Sequence, residues 1–306
     1  MTIELRLSNV DPPASEPKRT IYRDIVNLPD PVKLGLTIRY FNYDDVGLYM
    51  QITGSATGYT FGTVNLGLLA SGANKYINLD ELASRAKPTV AQLPNGEMSE
   101  NITLTLKGYT DAGYTTLKWT FDRIVTVAWI NSADAAFTVD FLDNFDDGTV
   151  DGWAVANEAD AYNVATISVA TDYVLSTPTS CKMTQAGSAV GRARLYKSFN
   201  TSSRTIQYAI FDIRLDVAWD YASNWVAEKY IEIQKDAGAT LLIHLGKAHD
   251  TVNSNYVPIK KWIRLVVPIT PSSTVELRIV VDAYYYLIAN HCWQYLWLDD
   301  FKIISK

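Results

Sequence analysis

The stretch FDDGTVDGW, residues 145–153, crowds Asp146, Asp147 and Asp151 around two Asp-Gly pairs and ends on a tryptophan. Carboxylates so placed have three uses. A pair can trade protons in hydrolysis. A set can hold a hard cation through oxygen ligands. Each Asp-Gly can also simply turn the chain. With 33 Asp and Glu in the chain, abundance alone nominates no catalytic pair. Other catalytic signatures are missing: there is no G-x-S-x-G, no H-E-x-x-H and no phosphate loop. Of the histidines, His244 sits in an apolar run, His249 lies near a turn and His291 precedes Cys292. Only a coincidence of the fold would join them in a metal site. The chain therefore reads as a non-enzyme.

Aromatic residues supply the other chemistry. AWDYASNWVAEKY, residues 218–230, mixes Trp219, Tyr221, Trp225 and Tyr230 with Asp220 and Asn224. It breaks the alternation of the strand before it, so it reads as a loop. Tyr284, Tyr285 and Tyr286 are consecutive, which puts 284 and 286 on one face of a strand and 285 on the other. Such rings form a ligand platform, or they seal one end of a core or a contact between chains. Trp153 reads as a cap on the core.

The elements that position these residues are strands. Val32, Leu34, Leu36, Ile38 and Tyr40 alternate with polar residues, as do Leu48, Met50 and Ile52. A third strand is expected near Phe61–Leu69. Asn78-Leu79-Asp80-Glu81 looks like a helix start, with Pro88 as its stop. Strands return at Ile102–Leu106, Leu117–Phe121 and Val125–Trp129, with Asp111-Ala112-Gly113 as a turn. About seven short strands predict an immunoglobulin-like sandwich over 31–139, without a Cys–Trp–Cys signature. Residues 1–30, rich in proline, read as an extended arm: a tail, or a segment that pairs with a neighbouring chain. From about 140 a second all-β region follows, with alternating runs at Phe211–Val217, Ile231–Ile233, Ile263–Ile269 and Val275–Val281. The expected fold is all-β, two sandwiches in tandem.

Composition sets the outer limits. A chain of 306 residues, 48% hydrophobic and 20% charged, holds enough apolar material for two cores. A net charge of −6 without a basic cluster argues against nucleic acid. No apolar run is long enough to span a membrane. The first residues lack the basic start and apolar run of a signal peptide. The chain as given therefore stays inside, is a mature form, or leaves by another route, such as within a virus particle. Cys181 and Cys292 fit a single disulfide or two buried thiols equally well.

Four short stretches occur in a telling order: DNFDDGTVDGW (143–153), STPTSCKM (176–183), KWIRLVVPI (261–269) and LWLDDFKI (296–303). Together they resemble the jelly-roll carbohydrate-binding modules of glycoside hydrolases and related galactose-binding-like domains, over 140–306 only. The resemblance implies a structural calcium ion bridging the acidic turn and the final strand. Its implied ligands are Asp146 or Asp147, a carbonyl near Gly148, and Asp300 or Asp299. It also implies sugar recognition by rings that stack on a pyranose, for which Trp219, Tyr221, Trp225, Tyr284 and Tyr286 are the candidates. Two functions compete. One is a surface-displayed binding protein for a glycan or other surface polymer. The other is a structural virion protein, such as a capsid decoration, turret or tail component, that forms homo-oligomers or meets other virion proteins through its N-terminal arm. Either places the protein outside the cell or on a virion surface.

Overall fold

The computed structural model describes residues 2–7, 20–26, 28, 30–32, 37–42, 44–78, 83–157, 165–187, 192–200, 206–219, 228–235, 240–248, 262–269, 274–284 and 292–306. The chain divides into two compact units, Met1–Asp134 and Ala135–Lys306. Among the described residues no helix is long and apolar enough to cross a membrane.

The strands of the first unit are β1 (Thr2–Leu7), β2 (Thr20–Asp24), β3 (Thr37–Asn42), β4 (Leu48–Ser55), β5 (Tyr59–Phe61), β6 (Val64–Leu69), β7 (Asn74–Asn78), β8 (Ala83–Arg85), β9 (Glu97–Tyr109) and β10 (Leu117–Ile130). They form a sheet ordered β2-β10-β9-β4-β6, a smaller sheet β1-β3-β7, and a β5-β8 ladder. Alternation selects the buried face of the larger sheet. Leu48, Met50 and Ile52 of β4, Ile102, Leu104 and Leu106 of β9, and Val125, Val127 and Trp129 of β10 are all at most 1% exposed. They share one core cluster, and burying each such side chain stabilises the fold by roughly 1.5–3 kcal/mol. Asp111 shapes the β9–β10 hairpin. Its carboxylate accepts the backbone N–H of Thr116 at 2.6 Å and of Gly113 at 2.9 Å. The Thr116 bond, followed by those of Thr115, holds the carboxyl down at about 2.

Three expectations change. The segment read as an arm contributes two strands to this chain's own sheets: β1 pairs in parallel with β3, and β2 in parallel with β10. Beyond the ladder, the buried Asp24 accepts Ser132 N at 3.1 Å and Ser132 Oγ at 2.7 Å, which pins the end of β2. The helix expected from Asn78 does not form across 83–85, which is strand β8. Its period is two: Ala83 and Arg85 are buried and Ser84 is exposed. Tertiary contacts of Arg85 override the local helix signal. The two runs at 117–121 and 125–129 are one strand, β10.

Arg85 anchors that override. Its Nε lies 2.6 Å from Glu100 Oε1 and its Nη2 donates to Oε2 at 2.9 Å, a two-pronged grip on one carboxylate. Tyr59 Oη donates to the same carboxylate at 3.0 Å, and so does the indole Nε1 of fully buried Trp129. The guanidinium also sits 5.1 Å from the Trp129 ring and 5.3 Å from the Tyr59 ring. Removing the carboxylate strands a buried cation and two ring donors. Glu100→Ala is expected to destabilise the first unit by about 3–5 kcal/mol, read from the urea midpoint.

The second unit contains β11 (Thr138–Asp143), β12 (Ala154–Asn157), β13 (Thr166–Ala170), β14 (Ser180–Gly187), β15 (Arg192–Asn200), β16 (Gln207–Trp219), β17 (Glu228–Lys235), β18 (Thr240–Ala248), β19 (Trp262–Ile269), β20 (Thr274–Tyr284) and β21 (Cys292–Ser305). The unit begins slightly before the boundary expected at 140, because β11 already starts at Thr138. One sheet runs β13-β14-β21-β16-β19 with β11 also on β21; the other runs β12-β15-β20-β17-β18. Both are antiparallel. Rings from the two sheets meet. Phe199 of β15 stacks on Phe301 of β21 at 5.1 Å and 11°, and Phe141 of β11 meets Phe199 at 4.8 Å. The unit is thus a β-sandwich. Cys181 is a buried free thiol, so no disulfide joins it to Cys292.

Strand β21 holds one sheet together. Residues 292–298 pair with β14 and 301–305 with β11, so the strand changes partner between them. At that change sit Asp299 and Asp300. Opposite them Ile210 pairs with Lys302 and Asp212 with Asp299. Residues 300 and 301 therefore face the single Phe211, a β-bulge with Asp300 at φ 52°.

Candidate functional site

The acidic turn begins where β11 ends. Asp143 points inward and is 3% exposed. Its carboxylate accepts the indole Nε1 of Trp153 at 3.1 Å and the backbone N of Phe145 at 3.3 Å. Lys197 Nζ of β15 lies 3.5 Å from it. Phe145 (φ 59°), Asp151 (φ 46°) and Gly148 (φ 76°) bend the chain tightly so that Trp153 returns over the core. Trp153 packs edge-on against Phe301 at 5.0 Å. Lys197 also donates to the carbonyl of Asp151 and lies 4.4 Å from the Phe141 ring centre. A cleft of about 440 Å³ opens here, lined by Phe141, Asp143, Asp147, Asp151 and Lys197 among others.

Burial pushes the Asp143 carboxyl up to about 7, helped by its hydrogen bond to Asp151 and the negative charge there; Lys197 opposes the shift. Asp151 moves the other way, because the same hydrogen bond and that of Thr149 favour its ionised form. Of the pair, Asp143 is therefore the member that holds its proton more tightly. Through Trp153, the backbone of Phe145 and Lys197, Asp143 clamps the turn to both sheets. Neither Asp143 nor Lys197 stood out in the sequence as a site. A signal was present: Lys197 falls in the apolar phase of Ala193, Leu195 and Phe199, where a lysine needs a partner.

The residues expected to bind calcium separate into groups. Asp146 and Asp147 are exposed on the turn. Asp146 Oδ2 accepts Asn144 Nδ2, and Asp147 Oδ1 accepts Thr149 N and Oγ1, each at 2.9 Å. Gly148 N donates to Phe145 O at 3.1 Å, leaving the Gly148 carbonyl out of that bond. Asp299 is fully buried. It accepts Leu175 N at 2.8 Å, Ser176 N at 3.1 Å, Ser176 Oγ at 2.6 Å and Asp300 N at 2.8 Å. With four donors on two oxygens, Asp299 does not fit as a ligand; it ties the loop after β13 to β21. Asp300 is one-third exposed at its side chain, with Arg264 Nη2 at 3.7 Å. Among the described residues no three His, Cys, Asp or Glu side chains gather as a metal group.

Of the aromatic candidates, Trp219 ends β16 and its backbone pairs with Cys292; Tyr284 ends β20 and pairs with Glu228. Tyr221, Trp225 and Tyr286 lie outside the described residues.

The sign of the Asp143 shift gives a test. Its folded value of about 7 lies above the ordinary 3.8, so the folded state holds this proton more tightly than the unfolded chain. The stability it contributes is full below about pH 4 and is lost as pH rises through about 7. The urea midpoint is expected to fall from about pH 5 to about pH 8, and Asp143→Asn is expected to flatten that fall.

No known family profile matches the chain, and no curated protein matches it. Solved structures similar to it include carbohydrate-binding modules. One, from a study of the promiscuous specificity of such modules in the β-sandwich superfamily, is 14% identical over 85% of this chain and 86% of that one, with a TM-score of 0.36. TmCBM61, in complex with β-1,4-galactotriose, is 9% identical over 53% of this chain and 94% of its own, at 0.34. The CBM22-1 xylan-binding domain of Paenibacillus barcinonensis Xyn10C is 15% identical over 54% and 93%, at 0.32. Scores this low assign neither function nor ligand, which rest on the residues themselves.

Proposed function

We propose that this chain is a non-catalytic binding protein whose second unit recognises a glycan or another surface polymer, displayed outside the cell. One observation carries the reading. Trp219 pairs with Cys292 at the end of one interior ladder, and Glu228 pairs with Tyr284 at the end of another in the second sheet. The connections 220–227 and 285–291 each run from one sheet to the other between those four residues. Both aromatic stretches of the sequence therefore attach at the same end of the sandwich. The residue types these two connections carry, aromatic and short polar, are the ones pyranose recognition needs: a flat apolar face, with acceptors and donors at its rim.

The finer fold assignments belong with this reading. The second unit is a jelly roll, supported by a chain that passes repeatedly between its two sheets. The first is an immunoglobulin-like spacer, supported by the β9–β10 hairpin with β4 alongside in one sheet and the β3–β7 pair in another. A structural calcium ion would be held by Asp146, Asp147, the Gly148 carbonyl and Asp300, without Asp299; it would supply a positive centre that binds the turn to β21.

The test is a screen of the purified chain against soluble and insoluble polysaccharides with calcium present. Saturable binding, weakened by Trp219→Ala or Trp225→Ala at unchanged melting temperature, is the expected result. Binding to no member of the panel would shift these rings to contacts between subunits. For the metal, a chelator is expected to lower the melting temperature of the full chain, and Asp146→Asn to remove that effect; an unchanged melting temperature removes the ion from the account.

A further inference from the structure

We propose a second saccharide-binding platform, centred on Tyr173, on the outer face of the sheet that contains β21. It lies away from the end described above and does not depend on that site. Three side chains form a row across this face by register: Lys182 of β14 opposite Trp297 of β21, and Trp297 opposite Arg214 of β16. Over the row lies the loop between β13 and β14. The loop is rigidly held, because buried Asp299 grips Leu175 and Ser176, and Ser180 Oγ donates to the Tyr173 carbonyl at 2.7 Å. Tyr173 meets the Trp297 ring edge-on at 4.9 Å and 79°. The Arg214 guanidinium lies 3.8 Å from the Tyr173 ring centre and so covers one face of it.

Tyr173 is nevertheless 39% exposed, whereas Trp297 beneath it is 2% exposed. An aromatic ring backed by a stacked cation and a second ring, and still more than one-third exposed, offers a preorganised stacking surface. Polar groups stand beside it. Asp172 accepts Trp297 Nε1 at 3.0 Å and Lys182 Nζ at 2.7 Å, and its carboxylate is 46% exposed. The platform thus offers an acceptor and a donor next to an apolar ring face. That combination fits the hydroxyl rim and C–H face of a neutral pyranose. The Asp172–Lys182 pair carries both signs, so a net anion or cation gains little. Leu175, 46% exposed on the same loop, extends the apolar surface.

The experiment is a calorimetric titration of the full chain with cellohexaose, xylohexaose and mannohexaose, repeated for four variants. The expected result is saturable binding to at least one hexasaccharide, weakened about ten-fold or more by Tyr173→Ala. Tyr173→Phe keeps the ring and keeps the affinity. Tyr173→Leu preserves bulk over Trp297 and loses the affinity, which covers the case in which alanine unsettles the loop. Trp225→Ala leaves Tyr173-dependent binding in place, whatever becomes of the site at the end of the sandwich. The proposal is overturned if no hexasaccharide binds, or if binding is indifferent to Tyr173→Ala and Tyr173→Leu. Loss of all binding in Trp225→Ala, with Tyr173 variants unaffected, would overturn it and support only the other site.

Discussion

Burying an indole requires a partner for its N–H, and among the described residues this constraint is met three times in one way. Trp129, Trp153 and Trp297 are 0%, 3% and 2% exposed. Each donates from Nε1 to a carboxylate: Glu100, Asp143 and Asp172. A carboxylate drawn toward an apolar face then needs a cation, which Arg85, Lys197 and Lys182 supply. Each triplet ties elements distant in sequence, since its members lie on different strands or loops. In the two buried triplets, those of Glu100 and Asp143, an unpaired member would cost several kcal/mol, so they discriminate against wrong registers as much as they add stability.

In the second unit these ties act on a sandwich closed by rings. Phe199 stacks on Phe301, Phe211 lies against Phe301 at 5.6 Å, and Trp153 covers the end of the stack. Strand β21 is the common member, with β14 and β11 in succession along one side and β16 along the other. At the bulge, Asp299 accepts the backbone N–H of Asp300 and two from the loop after β13, together with a serine hydroxyl. A single buried carboxylate thereby orders a loop that carries two exposed apolar side chains.

That arrangement separates framework from recognition surface. The charged side chains that cross the sandwich, Asp143 and Lys197, are committed to holding its opening turn. Among the described residues the exposed ring, Tyr173, stands on a loop anchored to β21 by Asp299, where stacking on a ligand costs little ordering entropy. The perturbed carboxylate, Asp143, is committed to contacts within the protein, holding the turn through Trp153 and Phe145.

Much of this was readable from residue order alone. Alternation of period two placed Leu48–Ile52, Ile102–Leu106 and Phe211–Leu215 on buried faces, because a strand sends successive side chains to opposite sides whatever its neighbours are. Asp111 and the Asp-Gly pairs marked turns through bonds made within a few residues. The helix expected after Asn78 shows the limit of local signals: nothing near Arg85 announces Glu100, and that distant carboxylate sets the strand. Strands β1 and β2, from the segment read as an arm, pair in parallel with β3 and β10, partners that lie far along the chain. Asp299 and Asp300 look equivalent in sequence, and a bulge sends one inward to a loop and leaves the other partly in solvent. Short-range chemistry is written in composition and spacing, whereas the pairing of buried charges and the partner of each strand are decided only when distant segments meet in space.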